Sequence, residues 1–298
     1  MSITGTGTKA DPYVVHDWEE LNTAIADSTA YVTVADNVVI NLLDIYPEGI
    51  PNNDRILTFE CKGFDGNGIT IKNAYCMTQM TTQRVIRIES TCEEFSNFNF
   101  VNFYLNLGAG TKIIETGYVS SYPTLSKLQI KGIAFSSATG NHTLFQNIKR
   151  IFDSVINIKI TFSQNNGNIY NTCSFDSCWL RFDTNSRWAY SSVTNTFINS
   201  YLEGRFVAKA NNTKIIDLGA AISSIINARC EAGEYTGCSV YAFTGSSLVV
   251  VNTNKLIGDI SLSGSSATVY PTGVTDVQLK SEEYMETIFP VVSAGGDS

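Results

Sequence analysis

Three neighbouring stretches decide the fold: FDSVINIKITF (152–162), YNTCSFDSCWLRF (170–182) and SSVTNTFINSYLEGRF (191–206). In each, apolar residues alternate with Asn, Ser or Thr, and a second apolar pair follows after a small or polar residue. Alternation is the mark of a strand with one buried face. A hairpin strand would alternate once and then meet a tight turn such as Asn-Gly. Here each run bends and starts again, as when a strand turns a corner into the next face of the same coil. The same look recurs on both sides, at ITIKNAYC (69–76), FSNFNFVNFYL (95–105), LSKLQIKGIAF (125–135) and ISSIINARCEAGEY (222–235). Successive starts lie roughly 18 to 30 residues apart, the scale of one coil in a repeat solenoid. Asn67-Gly68 and Asn166-Gly167 are too few hairpin signals for a β-sandwich, which is the competing architecture. Asn99, Asn157, Asn171, Asn195 and Asn227 are expected to point inward and to stack at coil corners, bonding one another along the axis. The prediction is an all-β chain folded as a right-handed parallel β-helix.

The ends differ from the middle. Asp17 suits a helix N-cap, Glu20 stands three residues later, and Trp18, Leu21 and Ile25 share one helical face. A short helix there would cover the open end of the solenoid, whose apolar side chains and unpaired backbone groups need shielding. YVTVADNVVINL (31–42) then reads as one alternating strand. Residues 276–285 predict a second short helix ended by Phe289-Pro290, before a loose tail. The chain is therefore expected to be a single elongated domain, with a cap over 1–54, coils over 55–251 and a closing segment over 252–298.

Charged residues make up only 16% of the chain, against about 25% in an average soluble domain, and hydrophobic residues make up 43%. Intrinsic disorder is thereby excluded. A net charge of −8 with no basic cluster in the sequence argues against binding nucleic acid or an anionic lipid surface. No apolar run is long enough to span a bilayer, and the start lacks the pattern of a secretory signal. Seven cysteines at irregular spacings, without a CxxC pair, read as small buried hydrophobes in a reducing compartment. Neither a metal nor any other cofactor is expected. Lys62–Gly68 has the Asp and Asn content of a calcium loop but not its spacing, and reads as a turn.

Catalysis by paired carboxylates is the chemistry to weigh on such a scaffold, because glycoside cleavage needs two of them at a set separation. Asp153, Asp176, Asp183 and Glu203 are the candidates, with Arg181 and Arg205 as nearby cations. Their offsets within the coils differ, so they are expected not to stack on one face and to be solvated surface charges. His16 and His142 lie before the cap helix and in a Gly/Asn turn, and no GxSxG elbow accompanies them. For binding, the cluster Trp179, Arg181, Arg187, Trp188 and Tyr190 stands out, since exposed aromatic rings beside Arg can stack on sugars or anchor a protein partner.

The lead GTGTKADPYVVHDWEELNTAIA, the later FDGNGITIKN and the closing VTDVQLKSEEYMETIFPV resemble a module of phage virion proteins and some bacterial surface proteins. Only the lead is specific. Members of that group are pectate-lyase-like β-helices. The resemblance implies a phage structural protein, a fibre, spike, or head or tail appendage, without enzymatic activity. It also implies assembly with other virion proteins in the host cytoplasm, self-association as a homotrimer, and adsorption to host surface polysaccharide. The Asn-x-Asp, Asp-Asp, Gly-His-Gly and Arg-x-Lys pattern of the pectin-hydrolase family is missing; Gly140-Asn141-His142 and Arg205–Lys209 are loose echoes. The alternatives are a polysaccharide depolymerase and a bacterial surface adhesin.

Overall fold

A computed structural model describes residues 2–269, apart from 83, 118–122, 137–141, 163–166, 172, 185–195, 209, 219, 223, 242–248, 252–254 and 264–266. The chain is the parallel β-helix that the alternation predicts. Among the described residues, parallel sheets of 18, 5 and 3 strands run side by side down the axis. Every pairing between the described strands is parallel, and an isolated antiparallel bridge joins Thr4 to Val14. Bonds between neighbouring coils show that the coils shorten as far as the pair Cys178 and Ser200 and then lengthen again. They span 32 residues from Asn41 to Asn73, 29 from Asn73 to Asn102, 26 from Leu128 to Ser154 and 22 from Cys178 to Ser200. They then span 24 residues from Ser200 to Ser224 and 28 from Asn227 to Lys255.

Alternation places one set of side chains inside. In register, Ile71, Phe100, Ile130, Ile156, Leu180, Leu202, Ile226 and Val251 form a single buried column through the body. Each such side chain contributes about 1.5–3 kcal/mol by leaving water. Near the N-terminal end the core holds a group of rings in which Phe59 meets Phe64, Phe95 and Phe98 edge-on at 4.7–5.9 Å.

Successive coils turn one corner on a residue in the left-handed conformation. Asn97, Lys127, Asp153, Ser177 and Asn199 occupy this place in successive coils, with φ between 47° and 56°. Only glycine adopts this conformation without cost, and Asn and Asp tolerate it better than other residues. The long strands Glu94–Asn106 and Thr124–Ser136 run through the corner, whereas later coils break into pairs such as Arg150–Phe152 and Val155–Phe162. The break would orphan a backbone donor, and serine fills the gap. Leu128 N–H donates to Ser154 Oγ at 3.0 Å, Cys178 N–H to Ser200 Oγ at 3.1 Å, and Ser200 N–H to Ser224 Oγ at 3.1 Å.

An asparagine ladder exists at residues other than the five expected. Asn102 Nδ2 donates to Asn73, Asn73 Nδ2 to Asn41 at 2.9 Å, and Asn41 Nδ2 to Asp44 at 3.0 Å. Asn73 and Asn102 take the left-handed conformation of a turn, which explains the choice of asparagine. Asn99 is buried and donates to Gly68 O. Asn157 and Asn227 lie instead at outward positions on a flat strand, because their neighbours Ile156, Ile158, Ile226 and Ala228 fill the core. The side chains of Asn171 and Asn195 fall outside the described residues.

The N-terminal helix forms over Trp18–Ile25, with Asp17 Oδ1 accepting from Glu20 N–H at 2.9 Å. Leu21, Ala24 and Ile25 are buried against the core. The helix also completes the end of the sheet, since Ile25 O accepts from Glu60 N–H (2.8 Å) and Cys61 N–H (2.9 Å). Residues 31–42 are not one strand: Tyr31–Val34 and Val39–Asn41 are separated by a turn at Asn37, and a helical turn, Leu42–Ile45, follows. Gly63–Lys72 is a strand with a corner at Asn67, where Asp65 Oδ1 accepts from Asn67 N–H at 3.0 Å. The predicted C-terminal helix lies outside the described residues.

Candidate functional site

The strands Val155–Phe162, Trp179–Thr184, Tyr201–Val207 and Ser224–Glu231 follow one another in register and share a flat outer face. Leu180, Phe182, Leu202, Phe206, Ala228 and Cys230 face the core, so their neighbours must face out. Trp179 stands against Tyr201, Arg181 against Glu203 and Asp183 against Arg205; Glu203 then meets Asn227, and Arg205 meets Arg229. The carboxylate and arginine candidates of these coils therefore do stack on one face, contrary to expectation. Offsets counted in the sequence misled because coil lengths differ, while the strand register sets the alignment.

Closest to the corner, Val155, Trp179 and Tyr201 form an apolar cluster separate from the main core. Trp179 is only 3% exposed, so it offers no open ring face for a sugar, which corrects its expected role. Its indole N–H donates to Glu203 Oε1 at 3.1 Å, fixing that carboxylate in place. Tyr201 Oη likewise accepts from Asn227 Nδ2 at 2.6 Å. Further out, Arg181 lies 3.8 Å from Asp183 and 3.9 Å from Glu203. Glu231 accepts two bonds from Arg205, at 3.1 and 2.8 Å, and one from Arg229 at 2.5 Å. The Arg205 hydrogen bond, aided by Arg229, holds the Glu231 carboxyl below its usual range, and the same bond raises Arg205.

Asp176 stands apart from this face. It ends the strand Ser174–Asp176 on the other side of the corner at Ser177. There it pairs with Arg150 of the preceding coil and accepts from Ser177 Oγ at 2.9 Å. Asp153 is itself a corner residue. Arg187, Trp188 and Tyr190 lie outside the described residues, as does the side chain of His142. His16 Nδ1 is 3.0 Å from Glu20 Oε2, beside the cap helix.

Tyr201, Arg229 and Glu231 belong to the face and escaped the sequence reading, and Asn227, expected to point inward, joins them there. The available signal was the spacing of Arg181, Arg205 and Arg229, one per coil, which becomes meaningful once the register is known. Chemically, glycoside hydrolysis needs one carboxylic acid kept protonated near neutrality. Glu231 is pulled the opposite way by its arginines, and Glu203 is held by an indole donor. The arrangement offers fixed charges in register along the face.

All seven cysteines are free and buried. Among the described residues, no group of three or more His, Cys, Asp or Glu is placed to hold a metal, and no helix is long and apolar enough to cross a membrane. Comparisons with protein-family models, with curated proteins and with solved structures find no match.

Proposed function

We propose that the chain is a non-enzymatic structural rod, a virion appendage that self-associates, joins other virion proteins and adsorbs to host surface glycan through its lateral face. The observation that carries this reading is the lateral face itself. Its carboxylates are tied to arginine or indole donors in register, which suits a binding surface more than an acid–base pair. Parallel coils with a sealed N-terminal end suit a stiff rod, and buried free thiols suit assembly in a reducing cytoplasm. The test combines light scattering at several concentrations with a reducing-sugar assay on host envelope. An oligomer that releases no sugar is the expected result; sugar release by the purified protein would sink the proposal.

One observation favours a depolymerase instead: Asp183 and Glu203 share the face. That reading requires sugar release to vanish in an Asp183→Asn, Glu203→Gln double variant with unchanged thermal stability.

A further inference from the structure

The chain carries a net charge of −8, yet one of its faces is basic. On the outer side of the sheet, Lys72, Val101, Lys131, Asn157, Arg181, Glu203 and Asn227 lie in one line, register by register. A second line runs through Lys159, Asp183, Arg205 and Arg229. In these two lines the cations outnumber Asp183 and Glu203, and Glu231 beside them does not restore the balance. No stretch of sequence announces this, because each coil contributes one or two cations and the fold brings them together.

Arg205 and Arg229 are directly opposed on adjacent strands, an arrangement that repels. Both bond the Glu231 carboxylate, and their side chains remain 56% and 58% exposed. Glu231 is shared between the two guanidinium groups, and Asp183, opposite Arg205, is also within 3.8 Å of Arg181, so guanidinium donors are left facing solvent. Lys159 in the same line is exposed as well.

We propose that this face is a docking strip for an acidic polysaccharide, a linear polymer of carboxylate-bearing sugars that lies along the solenoid axis. The inference rests on the glycan-binding reading above and narrows its ligand. Strand spacing presents a new rung every ~4.8 Å, so a polymer along the axis meets repeated guanidinium donors. Arginine binds carboxylate through two parallel hydrogen bonds. Asp183 and Glu203, between the cations, can accept from sugar hydroxyls.

Single-stranded nucleic acid fits less well, because it is held by bases stacking on open aromatic faces. Trp179 and Tyr201 are buried here. Further along the same side, Tyr75 and Tyr104 stack on each other at 5.7 Å and 20°, which occupies the ring faces between them.

The experiment measures binding of the full-length protein to alginate, a linear uronate polymer. Neutral dextran and a thymidine oligonucleotide serve as comparison ligands, and each is titrated at several salt concentrations. The Arg205→Gln, Arg229→Gln double variant removes two charges from the face. A Lys9→Gln, Lys62→Gln variant removes the same charge elsewhere. The expected result is alginate binding that weakens with salt and falls about tenfold in the face variant, against less than about twofold in the other. If the double variant fails to fold, Lys159→Gln is expected to weaken alginate binding about twofold to threefold.

Equal effects of the two double variants overturn the inference, as does tighter binding of the oligonucleotide. Dextran bound as well as alginate leaves glycan binding standing and removes the acidic ligand. Alginate that is bound at the face and also shortened supports the docking strip but refutes the non-enzymatic reading. Binding of no glycan at all removes both.

Discussion

Gly204 offers the sharpest test of how the coils stack. It lies in the strand Tyr201–Val207, opposite Phe182 on one side and Ala228 on the other, with φ at +121°. A Cβ at this position would stand 2.0 Å from Phe182 O and 2.6 Å from Phe182 C. Both atoms are backbone, so no side-chain rotation relieves the overlap, and the two rungs would have to separate. Gly233 provides the comparison: its φ is +61°, and nothing lies within 4 Å of its added Cβ. Gly233→Ala therefore measures the conformational cost alone. That cost is about 1–2 kcal/mol, offset in part by the ~0.4–1 kcal/mol gained from a less flexible unfolded chain. Gly204→Ala adds the loss of several ladder bonds at about 0.5–1.5 kcal/mol each, and it loosens the packing of Phe182 and Leu202. Its total should reach about 3–5 kcal/mol, in the range that marks a specific structural fault. Urea unfolding followed by far-UV circular dichroism and tryptophan fluorescence gives both values. A loss in Gly204→Ala no larger than in Gly233→Ala would refute the backbone-contact argument.

Three other outcomes follow from the same contacts. Arg205 holds the Glu231 carboxyl below its usual value in the folded protein, so its stabilising effect is full above the ordinary carboxylate range and is lost as pH falls through the lowered value. Urea midpoints of the natural protein should thus fall more steeply than those of Glu231→Gln between about pH 5 and 3; parallel curves would contradict this. Burial pushes the Cys173 and Cys178 thiols up and that of Cys230 up to about 12, and a hydrogen bond with Cys92 together with burial raises Cys61. Ellman's reagent at pH 8 should consequently leave these thiols untouched in the folded protein and titrate all seven cysteines only in denaturant. Asp176→Asn should cost about 1 kcal/mol by weakening the partly exposed pair with Arg150, and leave alginate binding unchanged; a loss of binding would place Asp176 in the site after all.

The class of fold was legible in the sequence because a buried strand face imposes a period of two, and that period is visible in runs such as VINIKITF. The cap helix was legible for a similarly local reason: Asp17 and the Trp18, Leu21, Ile25 spacing act within a few residues of each other. The corner was present in the letters as Asp153-Ser154 and Asn199-Ser200, but its meaning depends on a backbone donor of the neighbouring coil. For the same reason the ladder through Asn41, Asn73 and Asn102 was missed and Asn157 and Asn227 were expected to point inward, since stacking requires equal positions in coils of unequal length. Trp179 shows the limit from another side: a ring near arginines in sequence proved to be buried, with its N–H turned to Glu203. By itself, then, the sequence determined the period, the coil pattern, the N-terminal cap and the acidic total charge, all set by composition and near neighbours. Only the tertiary structure decided the register. That register separated Asp176 from Asp183, opposed Arg205 to Arg229, and made one basic face on an acidic chain, because contacts between coils link residues some 22 to 32 positions apart.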